Sequence, residues 1–166
     1  MALPDNQKLP IDGAGKVLKD GIWPPYRCDK LITFIGGTSN AWGDKDGTLA
    51  AGAVFLVNGS VRVRIVAACT VSLVGAGKLE MGVTGETASI IAQIADAEGI
   101  DAGEMWASAD APTKVTAVTG STEKIVTGGS DIILTQSVAD ITAGAIKFTA
   151  IWFPISEDGK VLPSNN

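Results

Sequence analysis

The stretch AVFLVNGSVRVRIVA, residues 53–67, limits the possible folds more than any other part of the chain. Asn58-Gly59 sits between two runs that alternate in polarity, and this dipeptide favours a two-residue hairpin loop with positive φ at both turn positions. In that register Val57 faces Ser60, Leu56 faces Val61, Phe55 faces Arg62 and Val54 faces Val63. Side chains alternate along a strand, so Val54, Leu56, Val61, Val63 and Ile65 share one face, and Phe55, Arg62 and Arg64 share the other. One face is core and the other is not.

Strand-like runs recur at 31–35, 53–57, 60–73, 79–83, 87–95, 114–118, 123–126, 132–137 and 145–153, with turns at Thr84-Gly85, Gly120-Ser121 and Gly128-Gly129. Short strands between turns of Gly, Asp, Asn and Ser predict an all-β fold, an antiparallel β-sandwich that is jelly-roll-like or barrel-like. The run SIIAQIADAEG also fits a helix, with Ile90, Ile91 and Ile94 on one face and Gly99 as its C-cap. It is read here as a strand. The run AGAIKFTAIWFPIS is largely apolar on both faces, so its strand is either central to the sandwich or has one face against a partner chain. Ile146, Phe148, Trp152 and Phe153 are the candidate subunit interface. Pro154 ends that ladder by removing a donor, and residues 157–166 are expected to form a flexible tail.

Residues 1–30 carry Pro4, Pro10, Pro24 and Pro25, with Ile22, Trp23 and Tyr26 as isolated anchors. Proline fixes φ and withdraws N–H donors, so this segment is expected to be an extended arm that another surface orders. The expected organisation is an arm over 1–30, a sandwich over 31–156 and the tail.

A chain of 166 residues buries roughly 70% of its unfolded surface and folds without disulfides or metal. The formal net charge of −5 and dispersed Lys and Arg argue against nucleic acid as a partner. Cys28 and Cys69 belong to no metal-binding or redox motif and are read as inert thiols. There is no basic-then-apolar leader and no span of about 18 apolar residues, so neither secretion nor a membrane is expected. The protein is expected to be made in a cytoplasm.

The chain has no histidine, which excludes His-dependent nucleophile triads. No Ser-x-x-Lys stands in a context that would activate it. The GAGK sequences at 13–16 and 75–78 lack the earlier Gly and the following hydroxyl of a phosphate loop and are read as turns. Asp44 and Asp46, and separately Asp96, Glu98, Asp101 and Glu104, lack the spacing of a calcium loop and are read as solvated. No carboxylate pair in an aromatic cleft is visible. Trp23, Trp42, Trp106 and Trp152 are read as core or interface residues. No catalytic residue, metal or cofactor is expected.

The order of motifs from about Gly59 to Ser156, VRVRIVAAC, GAGKLEMGVTGETASIIAQ, IDAGEMW, EKIV, DIILT and ADITAGAIKFTAIWFPIS, resembles head decoration (cement) proteins of tailed bacteriophages and related small virion structural proteins. The resemblance covers more than half of the chain. It implies a virion protein on the outer surface of the assembled capsid, often a homotrimer, whose partner is the major capsid protein of the same phage. It implies no catalytic residue. On this reading the arm residues Ile22, Trp23, Pro24, Pro25, Tyr26 and Arg27 are the candidate capsid-binding segment. The alternative is a head-fibre or receptor-binding module that recognises host cell-surface glycans. A hydrolase using the acidic loops is a third reading.

Overall fold

The computed structural model describes residues 25–109 and 123–166. Along the chain lie β1 (Tyr26–Thr33), β2 (Ala51–Asn58), β3 (Val61–Val74), β4 (Lys78–Val83), β5 (Glu86–Ile94), β6 (Met105–Trp106), β7 (Lys124–Val126), β8 (Ile132–Ser137), β9 (Ala143–Pro154) and β10 (Lys160–Pro163), with one 3₁₀ turn at Ala97–Gly99. The strands form two antiparallel sheets of five. One has the order β1-β9-β3-β6, with β7 also on β3, and the other runs β10-β2-β8-β4-β5. The chain is an all-β sandwich. The expected strand 114–118 lies outside the described residues.

The core lies between the sheets and takes alternate residues from each strand. Val61, Val63 and Ile65 of β3, Ile146, Phe148 and Ala150 of β9, and Leu79, Met81 and Ile132 opposite them are each at most 1% exposed. Burying a Val, Ile or Phe side chain contributes roughly 1.5–3 kcal/mol, so this layer is the main favourable contribution to folding. Trp106 meets Phe148 edge-on at 6.5 Å between ring centroids, and Tyr26 stacks on Trp152 at 4.6 Å.

The hairpin expected at Asn58-Gly59 does not form. β2 and β3 belong to different sheets, and the turn between them is an arch across the core. Each strand has a longer-range partner: Asn58 pairs with Lys160, and Val61 pairs with Pro154 on one side and Val126 on the other. Ser60 is held by the segment after β9, its N–H donating to Ser156 Oγ at 2.7 Å and its carbonyl accepting from Ile155 N–H at 2.8 Å. Arching lets Val57 and Val61 both point inward, which a paired hairpin with one solvated face would not require. Gly59 takes a positive φ of 58°, and a Cβ there would lie 2.2 Å from Asp158 Oδ1. The dipeptide therefore marks a turn, but of a different kind.

The phase of β2 also differs from expectation. A register shift between Ala53 and Phe55 places Val54 and Phe55 both in the core and leaves Leu56 37% exposed. A bulge adds one residue to the ladder and reverses which face later residues occupy. The expected strand at 87–95 is found as β5, and Thr84-Gly85 forms the β4–β5 hairpin turn with Gly85 at φ 89°.

Both expected boundaries of the body shift outward. Residues 26–30, assigned to the arm, are the first part of β1, because Tyr26 through Thr33 pair continuously with Trp152 through Ala145. Residues 160–163, assigned to the flexible tail, form β10. Val161 is buried there, and Ser164 N–H donates to Val54 O at 3.0 Å. Neither segment alternates cleanly in sequence, since each takes its order from a distant strand.

Candidate docking surface

The neighbouring strands β1, β9 and β3 present one continuous outer face. Alternation sends Ile146, Phe148, Ala150 and Trp152 of β9 inward and leaves Lys147, Thr149, Ile151 and Phe153 on the outside. The register then sets Arg27 and Arg64 on either side of Ile151, Asp29 and Val66 on either side of Thr149, and Arg62 beside Phe153. The β9 segment expected as a subunit interface is thus split. Ile146, Phe148 and Trp152 are 0%, 0% and 5% exposed within their own chain, which corrects their assignment to an interface. Phe153 alone of the four lies on the outer face, half-buried under the Arg62 guanidinium at 4.6 Å from the ring centroid.

Asp29 organises the middle of this face. Its carboxylate accepts from Thr149 Oγ1 at 2.6 Å, from Arg27 at 3.1 and 3.2 Å, and pairs with Lys147 at 3.1 Å. The Thr149 hydrogen bond, then that from Arg27, holds the carboxyl well below the usual carboxylate range. Arg62 pairs with Glu123 at 3.2 Å. Among the described residues no carboxylate pairs with Arg64. Among the described residues, Asp29 thus pairs with Arg27 and Lys147, and Glu123 with Arg62, on a chain whose formal net charge is −5.

Of the expected arm residues, Ile22, Trp23 and Pro24 lie outside the described residues. Pro25 is exposed, Tyr26 is fixed on Trp152, and Arg27 belongs to the Asp29 cluster. The Arg62/Arg64 alternation was legible in sequence. The Asp29–Lys147–Thr149 cluster was not, because it depends on a β1–β9 register between segments more than a hundred residues apart.

The acidic groups gather at one end of the sandwich, at the close of β3 and β5 and the start of β4 and β9. Asp96 caps the 3₁₀ turn by accepting from Glu98 N–H at 3.0 Å. Glu104 is 7% exposed and accepts from Asp101 N–H at 2.8 Å, while Asp101 accepts from Ser72 Oγ at 3.0 Å. Asp140 accepts from Lys45 N–H at 3.0 Å. Among the described residues no three Cys, Asp or Glu side chains are grouped to hold a metal. At the opposite end a groove of about 510 Å³ runs between the β4–β5 turn and β7, lined in part by Glu86, Ser89, Lys124 and Thr127.

Trp42, Trp106 and Trp152 are all buried, which leaves Trp23 outside the described residues. Cys28 and Cys69 are free thiols. Burial first, then the neighbouring Asp29 charge, pushes the Cys28 thiol up to about 11. Cys69 is raised mainly by burial. Comparison with known protein families, with curated proteins and with solved structures finds no match.

Proposed function

We propose that this chain is a phage capsid decoration (cement) protein that binds the outer surface of the assembled head and stabilises it across subunit junctions, without chemistry of its own. The observation that carries this reading is the β1-β9-β3 face. It is a broad sheet surface bearing Arg27, Arg62, Arg64 and the half-buried Phe153, residue types enriched at protein interfaces. The motif order over residues 59–156 that resembles decoration proteins supports the same reading.

The physical role follows from repetition. A shell offers many equivalent sites, so a multimer engaging several subunits gains effective concentration, and modest contacts per chain give tight attachment. A partner that binds the intact shell and not its broken form stabilises the shell by mass action. On this reading the N-terminal segment, of which residues 1–24 lie outside the described residues, contacts a neighbouring subunit. The body begins where Tyr26 is clamped on Trp152.

Cosedimentation with expanded heads tests this, comparing the full chain with a variant lacking residues 1–24. The full chain pellets with heads, and the variant keeps its fold but pellets at least tenfold less. Equal pelleting removes the arm from the mechanism, and no pelleting by the full chain removes the function. Binding to host cells instead of heads would favour the receptor-binding alternative.

A further inference from the structure

A side-chain amide or carboxyl can be attacked by the backbone nitrogen that follows it, and the fold guards some such places and leaves another open. Asn40 is followed by Ala41, whose N–H donates to Thr38 O at 3.1 Å, and its side chain accepts from Thr48 Oγ1 at 2.7 Å. Gly47, after Asp46, donates its N–H to Asp44 O at 3.3 Å, and Gly159, after Asp158, donates to Ser156 O at 2.9 Å. Asn58-Gly59 is the sole Asn-Gly in the sequence. Among the described residues no acceptor takes the Gly59 N–H, and no group bonds the exposed Asn58 carboxamide.

The arch supplies what else the attack requires. Gly59 has no Cβ and takes a φ of 58°, so no side chain of its own shields its nitrogen. Lys160 is the cross-strand partner of Asn58, and directly opposed residues hold their Cβ atoms about 4.5–5.5 Å apart. The exposed Lys160 ammonium is thus within reach of the carboxamide oxygen, where negative charge develops when the carbonyl carbon is attacked.

From this juxtaposition we infer that Asn58-Gly59, with Lys160 beside it, is a self-modification site. The Gly59 nitrogen attacks Asn58 Cγ, the new N–Cγ bond replaces the Cγ–Nδ2 bond, and Nδ2 leaves as ammonia with the Gly59 proton. Water then opens the cyclic imide at either carbonyl. The product is aspartate, or isoaspartate with the main chain routed through the side chain. The arch has no room for the second form: an atom added at Gly59 Cα would lie 2.2 Å from Asp158 Oδ1 and 2.4 Å from Ser156 Oγ. An isoaspartyl backbone, one atom longer, therefore displaces the turn that holds Ser60. Either product adds a carboxylate to a shallow cavity of about 700 Å³ lined in part by Asp131 and Asp158. Like charges there repel. Conversion loosens the seam between β2 and β10 with age, and this inference does not rest on the shell reading.

Incubation of the full chain at pH 8 tests it, with isoaspartate located by peptide mass spectrometry. In the folded chain residue 58 converts at least tenfold faster than Asn40, Asp46 or Asp158, and at no less than about a third of its rate in the urea-denatured chain. Lys160→Gln slows the folded chain at least threefold and leaves the denatured rate unchanged, with an unchanged circular dichroism spectrum to show that it folds. The converted fraction, separated by its added negative charge, unfolds at lower urea than the rest. A slower folded-state rate than that third overturns the proposal, because the fold then shields the pair. So does isoaspartate that gathers at Asp46 or Asp158 instead, a Lys160→Gln variant as fast as wild type, or a converted fraction as stable as the rest.

Discussion

Asp29 joins three side chains from two strands, so its ionisation is coupled to the fold. Its folded pKa lies below its unfolded value of about 3.9. Its contribution is therefore fully present above about pH 4 and is lost as pH falls toward the folded value. Asp29→Asn should lower the urea midpoint at pH 6, and the gap to wild type should close as pH falls from about 4 toward 2. A gap that stays constant would contradict the cluster. Cys28, pushed up to about 11, should stay protonated at pH 8 and react with a disulfide reagent far more slowly in native than in denatured protein. Fast labelling of the native chain would contradict its burial. Val138 is a β-branched residue at φ 76° and 64% exposed, a conformation that costs roughly 1–2 kcal/mol. Val138→Asn should stabilise by about 0.5–1 kcal/mol, read as a rise in melting temperature; a fall would show that the strain is compensated locally.

Strands are where the sequence was most and least informative. β3, β4, β5, β8 and β9 were legible because each alternates or runs apolar between turns, which is a local signal. Pairing was not, since Asn58-Gly59 specifies a tight turn and says nothing about whether its two arms pair with each other or with distant strands. Bulges hid the phase of β2, because one extra residue exchanges Phe55 for Leu56 in the core. β6 and β10 were missed because two and four residues carry no period, and they become strands through partners at Ala67–Ala68 and Phe55–Asn58. Of the site, the Arg62/Arg64 stripe was visible in alternation, whereas the burial of Ile146, Phe148 and Trp152 inside their own chain needed the second sheet. β10 covers the edge of β2 and buries Val161 at 2% exposure. Removing residues 160–166 should therefore cost at least about 1.5–3 kcal/mol, measured by denaturant titration. An unchanged midpoint would mean that β10 only lies on the surface.

At the scale of the whole molecule, only β4 and β5 among the described strands are both consecutive and paired; apart from β6 and β7, which both lie on β3, the other consecutive strands belong to different sheets. Such long-range pairing is slow to form. The central proposal is that this sandwich works by attachment to a shell, and cosedimentation of the purified full chain with expanded phage heads tests that most directly. Saturable pelleting at a fixed ratio to capsid protein, with heads that then withstand higher temperature before releasing DNA, is the expected result. Heads that pellet without the protein, and break at the same temperature with or without it, would contradict the account.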